Sequence, residues 1–160
     1  MSFPYSEFPG LLPNGVNSIT VAQLEAICVT NFRLSTNRPQ IFRGFFKIYK
    51  MLVNEGIKGD LLVNGSFITE EIEPKDLDSA LCVSAEFYEN SSPVQRGIMD
   101  WIRDEHSIRD NFLCDCYLCV EYPKGHPEYF DGIQNRLYWE NLFRFSVVLK
   151  RERGIGVIHL

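Results

Sequence analysis

Leu61-Leu-Val-Asn-Gly65-Ser-Phe-Ile-Thr-Glu70-Glu-Ile-Glu-Pro-Lys75-Asp-Leu-Asp-Ser-Ala80 is the stretch from which the rest of the chain is read. It carries an apolar run of strand length, Asp60 to Asn64, which ends at the turn residues Gly65 and Ser66. A polar connection with Glu70, Glu71, Glu73, Pro74 and Lys75 leads to a second run, Leu77 to Val83. Asp76 and Asp78 stand at i and i+2, so on a strand they share one face while Leu77 points to the other. Two carboxylates side by side repel each other. A divalent ion resolves the conflict, because Mg²⁺ (or Mn²⁺) is a hard cation satisfied by one or two carboxylates, waters and phosphate oxygens. A glycine after a buried strand lets backbone approach a ligand closely, and the adjoining N–H groups and the Ser66 hydroxyl suit phosphate oxygens.

Working outward, Pro39 suits the first position of a helix, and Phe42, Phe45, Phe46, Tyr49, Leu52 and Val53 recur at helical spacing up to a stop at Gly56. Upstream, Phe3 to Gly15 reads as an extended arm, covering residues 1–16 in all, and Asn17 or Ser18 is placed to cap a short helix from Ile19 to Cys28. Downstream, Ser92-Pro93 opens a helix containing Val94, Ile98, Trp101 and Ile102, and Pro127 to Phe143 predicts another. Phe112 to Val120 is too continuously apolar for a half-exposed strand and is expected to lie centrally. Ile155 to Leu160 is expected to add an edge strand. Helices and strands interleave, which predicts one α/β (α+β) domain over residues 1–160, a small mixed sheet flanked by helices.

Composition narrows the function classes. A net charge of −5 argues against coating duplex nucleic acid by bulk electrostatics. No apolar run approaches the ~20 residues a membrane span needs, the N-terminus lacks the pattern of a signal peptide, and five cysteines without an export signal predict reduced thiols in a cytoplasmic protein. Cys114, Cys116 and Cys119 lack paired zinc spacing, and Cys119 faces away from the other two on a strand, so core thiols are expected. His106, His126 and His159 are scattered and read as surface residues, and Trp101 and Trp139 as core.

A Gly-Ser after an apolar strand followed about ten residues later by Asp-hydrophobic-Asp resembles the signature of the polymerase-β-type nucleotidyltransferase superfamily. The wider pattern resembles a small bacterial and phage-borne nucleotidyltransferase-like family of uncharacterised function: Leu12-Pro13-Asn14-Gly15, Asn31 to Arg38, Gly65-Ser66-Phe67-Ile68-Thr69, Pro74-Lys75-Asp76-Leu77-Asp78 and a closing strand. The resemblance implies a minimal nucleotidyltransferase-like fold. It also implies a metal-dependent transfer of a nucleoside monophosphate from an NTP to a macromolecular or small acceptor, such as a partner protein or an RNA end, in a toxin–antitoxin or phage-defence setting. Asp76 and Asp78 would hold Mg²⁺, and Gly65 and Ser66 would grip the phosphates. The superfamily's third metal carboxylate falls on Asp115, with Glu121 as the fallback if the register differs.

Asp115 has a second reading, as a buried carboxylate paired with Arg103, Arg109 or Arg144. Relatives carry a lysine shortly after the Gly-Ser-Phe turn where this chain has Glu70 and Glu71, so Arg38 and Arg43 are candidates to reach the phosphates instead. A catalytically degenerate nucleotide- or partner-binding module on the same fold is the rival expectation.

Overall fold

The computed structural model describes residues 8–104, 108–146 and 151–160. It is an α+β structure built on a five-stranded mixed sheet with helices on both faces. The elements that frame the sheet are β1 (Gly15–Ser18), α1 (Val21–Glu25), α2 (Asn37–Asn54), β2 (Asp60–Asn64), β3 (Leu77–Ser84), α3 (Ala85–Asn90), α4 (Pro93–Asp104), α5 (Ile108–Phe112), β4 (Cys114–Glu121) and α6 (Tyr129–Arg144). Two short antiparallel strands, β5 (Phe145–Ser146) and β6 (Arg151–Glu152), precede β7 (Gly154–His159). The strand order is β1-β7-β2-β3-β4. The β2–β3 and β2–β7 pairs are antiparallel, and the β1–β7 and β3–β4 pairs are parallel.

Two apolar layers follow from the strand alternation. On one face Leu61, Val63, Leu77, Leu81, Val83, Cys114 and Ile158 pack under Leu24 and Cys28, the α2 stripe Ile41, Phe45, Ile48 and Leu52, and Met99 and Ile102 of α4. On the other, Leu62, Ala80, Cys82, Cys119, Ile155 and Val157 pack under Trp139 and Phe143 of α6. Gly44 marks the closest helix approach: a Cβ there would stand 1.9 Å from the Phe112 carbonyl oxygen, so only glycine lets the end of α5 rest on α2.

Four expectations need correction. The extended arm stops short of residue 16, because Gly15–Ser18 is a strand paired to β7; residues 1–7 lie outside the described ones. The first helix is capped by Thr20 rather than Asn17 or Ser18, in a reciprocal box with Gln23, since Asn17 and Ser18 are still in β1. Ile155 to Leu160 does not form an edge: β7 lies between β1 and β2. Conversely Phe112 to Val120 is not central, for β4 ends the sheet. Its continuous apolar run reflects helices on both faces, with α4 and α5 on one and α6 on the other, rather than strands on both sides. The faces assigned to the cysteines hold, with Cys114 and Cys119 buried in opposite layers and none of the five cysteines in a disulfide.

Candidate active site

The register brings the expected acidic residues to one rim of the sheet. Asp78 is paired with Asp115 across β3–β4 and with Asn64 across β2–β3, so the three side chains share the α6 face. Asp76 immediately precedes β3 on that same alternation. The turn after β2 closes over them. Gly65 has φ 92° and ψ −174°, a conformation essentially reserved for glycine. A Cβ there would lie 2.9 Å from the Asp78 Oδ2 and 3.1 Å from its amide nitrogen. The turn backbone therefore rests directly on Asp78, a contact any side chain would break. Ser66 opens a single 3₁₀ turn to Ile68, half-buried at the mouth, and the Thr69 hydroxyl donates to the Ser66 carbonyl at 2.7 Å.

The cluster has its own cation. Arg109, on α5 at the entry to β4, places Nη2 2.5 Å from Asp76 Oδ2 and Nη1 3.6 Å from Asp115 Oδ2. Its side chain is 56% exposed, against 14% for Asp76 and 23% for Asp115. Burial, then the charges of Asp76 and Asp115, push the Asp78 carboxyl up to about 6, while Arg109 and Arg153 pull the other way. Burial also raises Asp115, opposed by Arg109. Asp115 lies opposite Asp78 in the β3–β4 register, and of its three suggested basic partners it is Arg109 that it meets. Arg103 pairs instead with Asp100 and Asp104, and Arg144 with Glu152. Glu121 is held by Arg136 at 2.6 Å, at the far end of β4 and ~20 Å from Asp115 along an extended strand.

The donor chemistry suits a hard divalent cation. Apart from the Arg109 guanidinium, the candidate ligand atoms at the rim are oxygens, and the Asn64 Oδ1 beside Asp78 is buried without a hydrogen-bond partner. Among the described residues, no three His, Cys, Asp or Glu side chains converge on a common point at ion-holding distance; Arg109 spans Asp76 and Asp115 instead.

The two arginines expected at the phosphates lie elsewhere. Arg38 is fully buried. It donates to the carbonyls of Cys28 (2.9 Å), Phe67 (2.5 Å), Thr69 (2.6 Å) and Glu71, and its guanidinium lies 3.7 Å from the Phe32 ring centroid. It shapes the Gly-Ser turn from behind rather than facing the rim. Arg43 lines a separate open groove of about 460 Å³ between α2 and α5, with Lys47, Gln40 and Asn111. The side chain that does reach the carboxylates, Arg109, was only one of three suggested partners for Asp115, because nothing local distinguishes it from Arg103 or Arg144.

His159, read as an isolated surface residue, has ordered neighbours. Its Nε2 lies 2.9 Å from Ser18 Oγ and its Nδ1 2.6 Å from Asp60 Oδ1, while Arg136 takes the other Asp60 oxygen at 3.2 Å. Sequence separations of 141 and 99 residues hide this chain of contacts, which ties β1, β7 and β2 at the end of the sheet remote from Asp78. His106 lies outside the described residues.

The fold and rim define an α+β protein with an acidic, arginine-bridged rim at the junction of two strands and a glycine turn. The chain belongs to DUF6932, a family of unknown function whose pattern matches residues 4–159. Comparison with curated proteins and with solved structures gives no match. Among the described residues no helix is long and apolar enough to cross a membrane.

Proposed function

We propose that the chain is a metal-dependent nucleotidyltransferase that moves a nucleoside monophosphate from an NTP to an acceptor hydroxyl on a macromolecule or a small molecule. One observation supports the reading above others: Asp78 and Asp115 stand in register on adjacent parallel strands, with Asp76 two residues away and the Gly65 backbone against the Asp78 carboxyl. Such a placement matches the requirements of phosphoryl and nucleotidyl transfer, where positioning and charge neutralisation carry nearly all of the catalysis.

Asp76, Asp78 and Asp115 would hold a divalent ion, which when bound neutralises charge on the phosphates. The turn at Gly65 and Ser66 would present backbone N–H groups and a hydroxyl to the phosphate chain. Asp115, on the exposed flank of the pair, would accept the proton of the acceptor hydroxyl as its oxygen attacks the α-phosphate and pyrophosphate departs. Trp139 stacks on the exposed Tyr117 of the same sheet face, with ring centroids 4.1 Å apart.

The test is incubation of the protein with each α-labelled NTP, Mg²⁺ or Mn²⁺, and cell lysate as the source of acceptor. Label transfer that disappears in an Asp76→Ala/Asp78→Ala variant is the expected result. Absence of transfer together with absence of metal-dependent nucleotide binding rejects the reading. Nucleotide binding without transfer would favour the second reading, a catalytically degenerate binding module, for which the Arg109 bridge across Asp76 and Asp115 is the specific support.

A further inference from the structure

Within the reading just given, we infer that Arg109 works in two positions: it is the counter-ion of Asp76 and Asp115 in the nucleotide-free site, and the ligand of the nucleotide's phosphates in the loaded one. The site needs such a group. The connection after the Gly-Ser turn offers Glu70 and Glu71 where a phosphate-binding cation is wanted. Arg38 is used up on four backbone carbonyls, and Arg43 faces the groove on the other side of α5. Two arginines act on the Asp78 carboxyl, Arg109 and Arg153. The Arg153 Nε is committed to the Phe143 carbonyl at 3.0 Å, which fixes that side chain to α6. Arg109 reaches the carboxylates from a five-residue helix, and more than half of its side chain is exposed.

The exchange follows from charge. Without a bound ion, three carboxylates stand beside two guanidiniums, and the nearest exposed cation bridges two of the acids. Arg109 presents a planar fork of five donors, of which Nη1 and Nη2 face carboxylates. A divalent ion bound among the oxygens of Asp76, Asp78 and Asp115, with the unpartnered Asn64 Oδ1 alongside, would weaken the hold of those carboxylates on the guanidinium. A triphosphate on the same ion would offer the fork an anion of similar geometry, and Arg pairs phosphate and carboxylate by the same bidentate bonds.

The consequence is a pair of effects with opposite signs. In Arg109→Ala the internal counter-ion is gone, so Mn²⁺ alone should bind about two- to fivefold more tightly, the range of a solvent-exposed ion pair. The Mn²⁺ complex of whichever NTP binds best to the unaltered protein should bind at least about tenfold more weakly, as for loss of a charge-assisted hydrogen bond. Arg109→Lys should fall between on both counts. Arg103→Ala, which removes an arginine outside the site, should change neither. The measurements are Mn²⁺ titration followed by electron paramagnetic resonance of the free ion, and calorimetry with each Mn²⁺–NTP, with circular dichroism checking each fold.

If Arg109→Ala weakens both ligands, the residue is a structural brace and the inference fails; if it strengthens both, Arg109 is only a competitor and the inference fails. An unaltered protein that binds neither Mn²⁺ nor any Mn²⁺–NTP overturns the nucleotidyltransferase reading itself. Unaltered affinity for both with same-sign changes in the variant overturns the role of Arg109 alone.

Discussion

Glu73 caps α2 at Asn37 across 36 residues of sequence: its carboxylate accepts the Asn37 amide at 2.9 Å and the Thr36 amide at 2.7 Å. The next residue of the helix, Arg38, donates in the opposite direction to the carbonyls of Phe67, Thr69 and Glu71. The first turn of α2 thereby clamps the connection between the Gly-Ser turn and the acid pair from both sides. Thr36 makes no side-chain cap bond, and the amides of this end are shared between Glu73 and the Ser35 hydroxyl, which accepts the Arg38 amide at 3.1 Å.

Glu73→Gln should lower the melting temperature modestly at neutral pH. The hydrogen bonds from Thr36 and Asn37 hold the Glu73 carboxyl below its usual range. Its contribution is therefore present above the ordinary glutamate pKa and fades as pH falls through the depressed folded value. The gap between the unaltered protein and Glu73→Gln should close on acidification; a gap that widens instead would contradict the capping role.

Arg38 has no conservative replacement. Arg38→Met would leave the carbonyls of Cys28, Phe67, Thr69 and Glu71 without their donor in a buried site, at a cost of about 3–5 kcal/mol. Arg38→Lys supplies one ammonium for a planar fork and should recover less than half of that. Urea denaturation of the three proteins measures it, and a cost below about 1 kcal/mol for the methionine variant would show that the carbonyls are not held by this side chain.

Gly65→Ala combines backbone strain with a direct clash at Asp78. The strain alone is about 1–3 kcal/mol, and the added methyl, 2.9 Å from Oδ2, must move the carboxylate. Metal-dependent nucleotide affinity should therefore fall by more than Gly97→Ala causes, since Gly97 meets nothing within 4 Å of an added Cβ. Equal losses from the two substitutions would remove Gly65 from the site.

Asp78→Asn should stabilise the fold at neutral pH. Burial and two neighbouring carboxylates raise the folded Asp78 carboxyl from 3.8 to about 6, so its ionisation opposes folding. The penalty is absent below pH ~4 and reaches about 3 kcal/mol above pH ~6. Denaturation at pH 4 and pH 7.5 should show the variant equal to the parent at the lower pH and more stable at the higher. A variant less stable than its parent at pH 7.5 would mean that Asp78 is held by a bond its ionised form requires. Stability gained by removing a charge that the site retains is the ordinary mark of a functional group.

Much of this was legible in the chain. The helical spacing of Phe42, Phe45 and Leu52 and the i, i+2 acid pair are local patterns, and local patterns survive folding. Asp115 was reached only through the family resemblance, with Glu121 left open as the alternative, and it is the β3–β4 register that sets Asp78 opposite Asp115. What stayed hidden was non-local. A continuous apolar run reports that both faces of a strand are covered, not how many strands flank it, so β4 was placed at the centre and β7 at the edge. Arg38, read as a phosphate ligand, is surrounded in sequence by polar residues, and only the fold reveals that carbonyls from residues 28 to 71 converge on it. The Ser18, His159 and Asp60 contacts likewise span the whole chain.

The position of β7 has a consequence for how the protein comes to exist. The two strands it joins, β1 and β2, have no bond to each other without it, so the sheet is completed by the described segment most distant from its first strand. A chain lacking residues 154–159 would retain the helices and the β2–β3–β4 ribbon but leave β2 with a bare, apolar edge, the kind of template on which chains aggregate. Assembly dominated by so distant a pairing is slow, and during that interval Gly65, Asp78 and Asp115 would stand on an incomplete sheet.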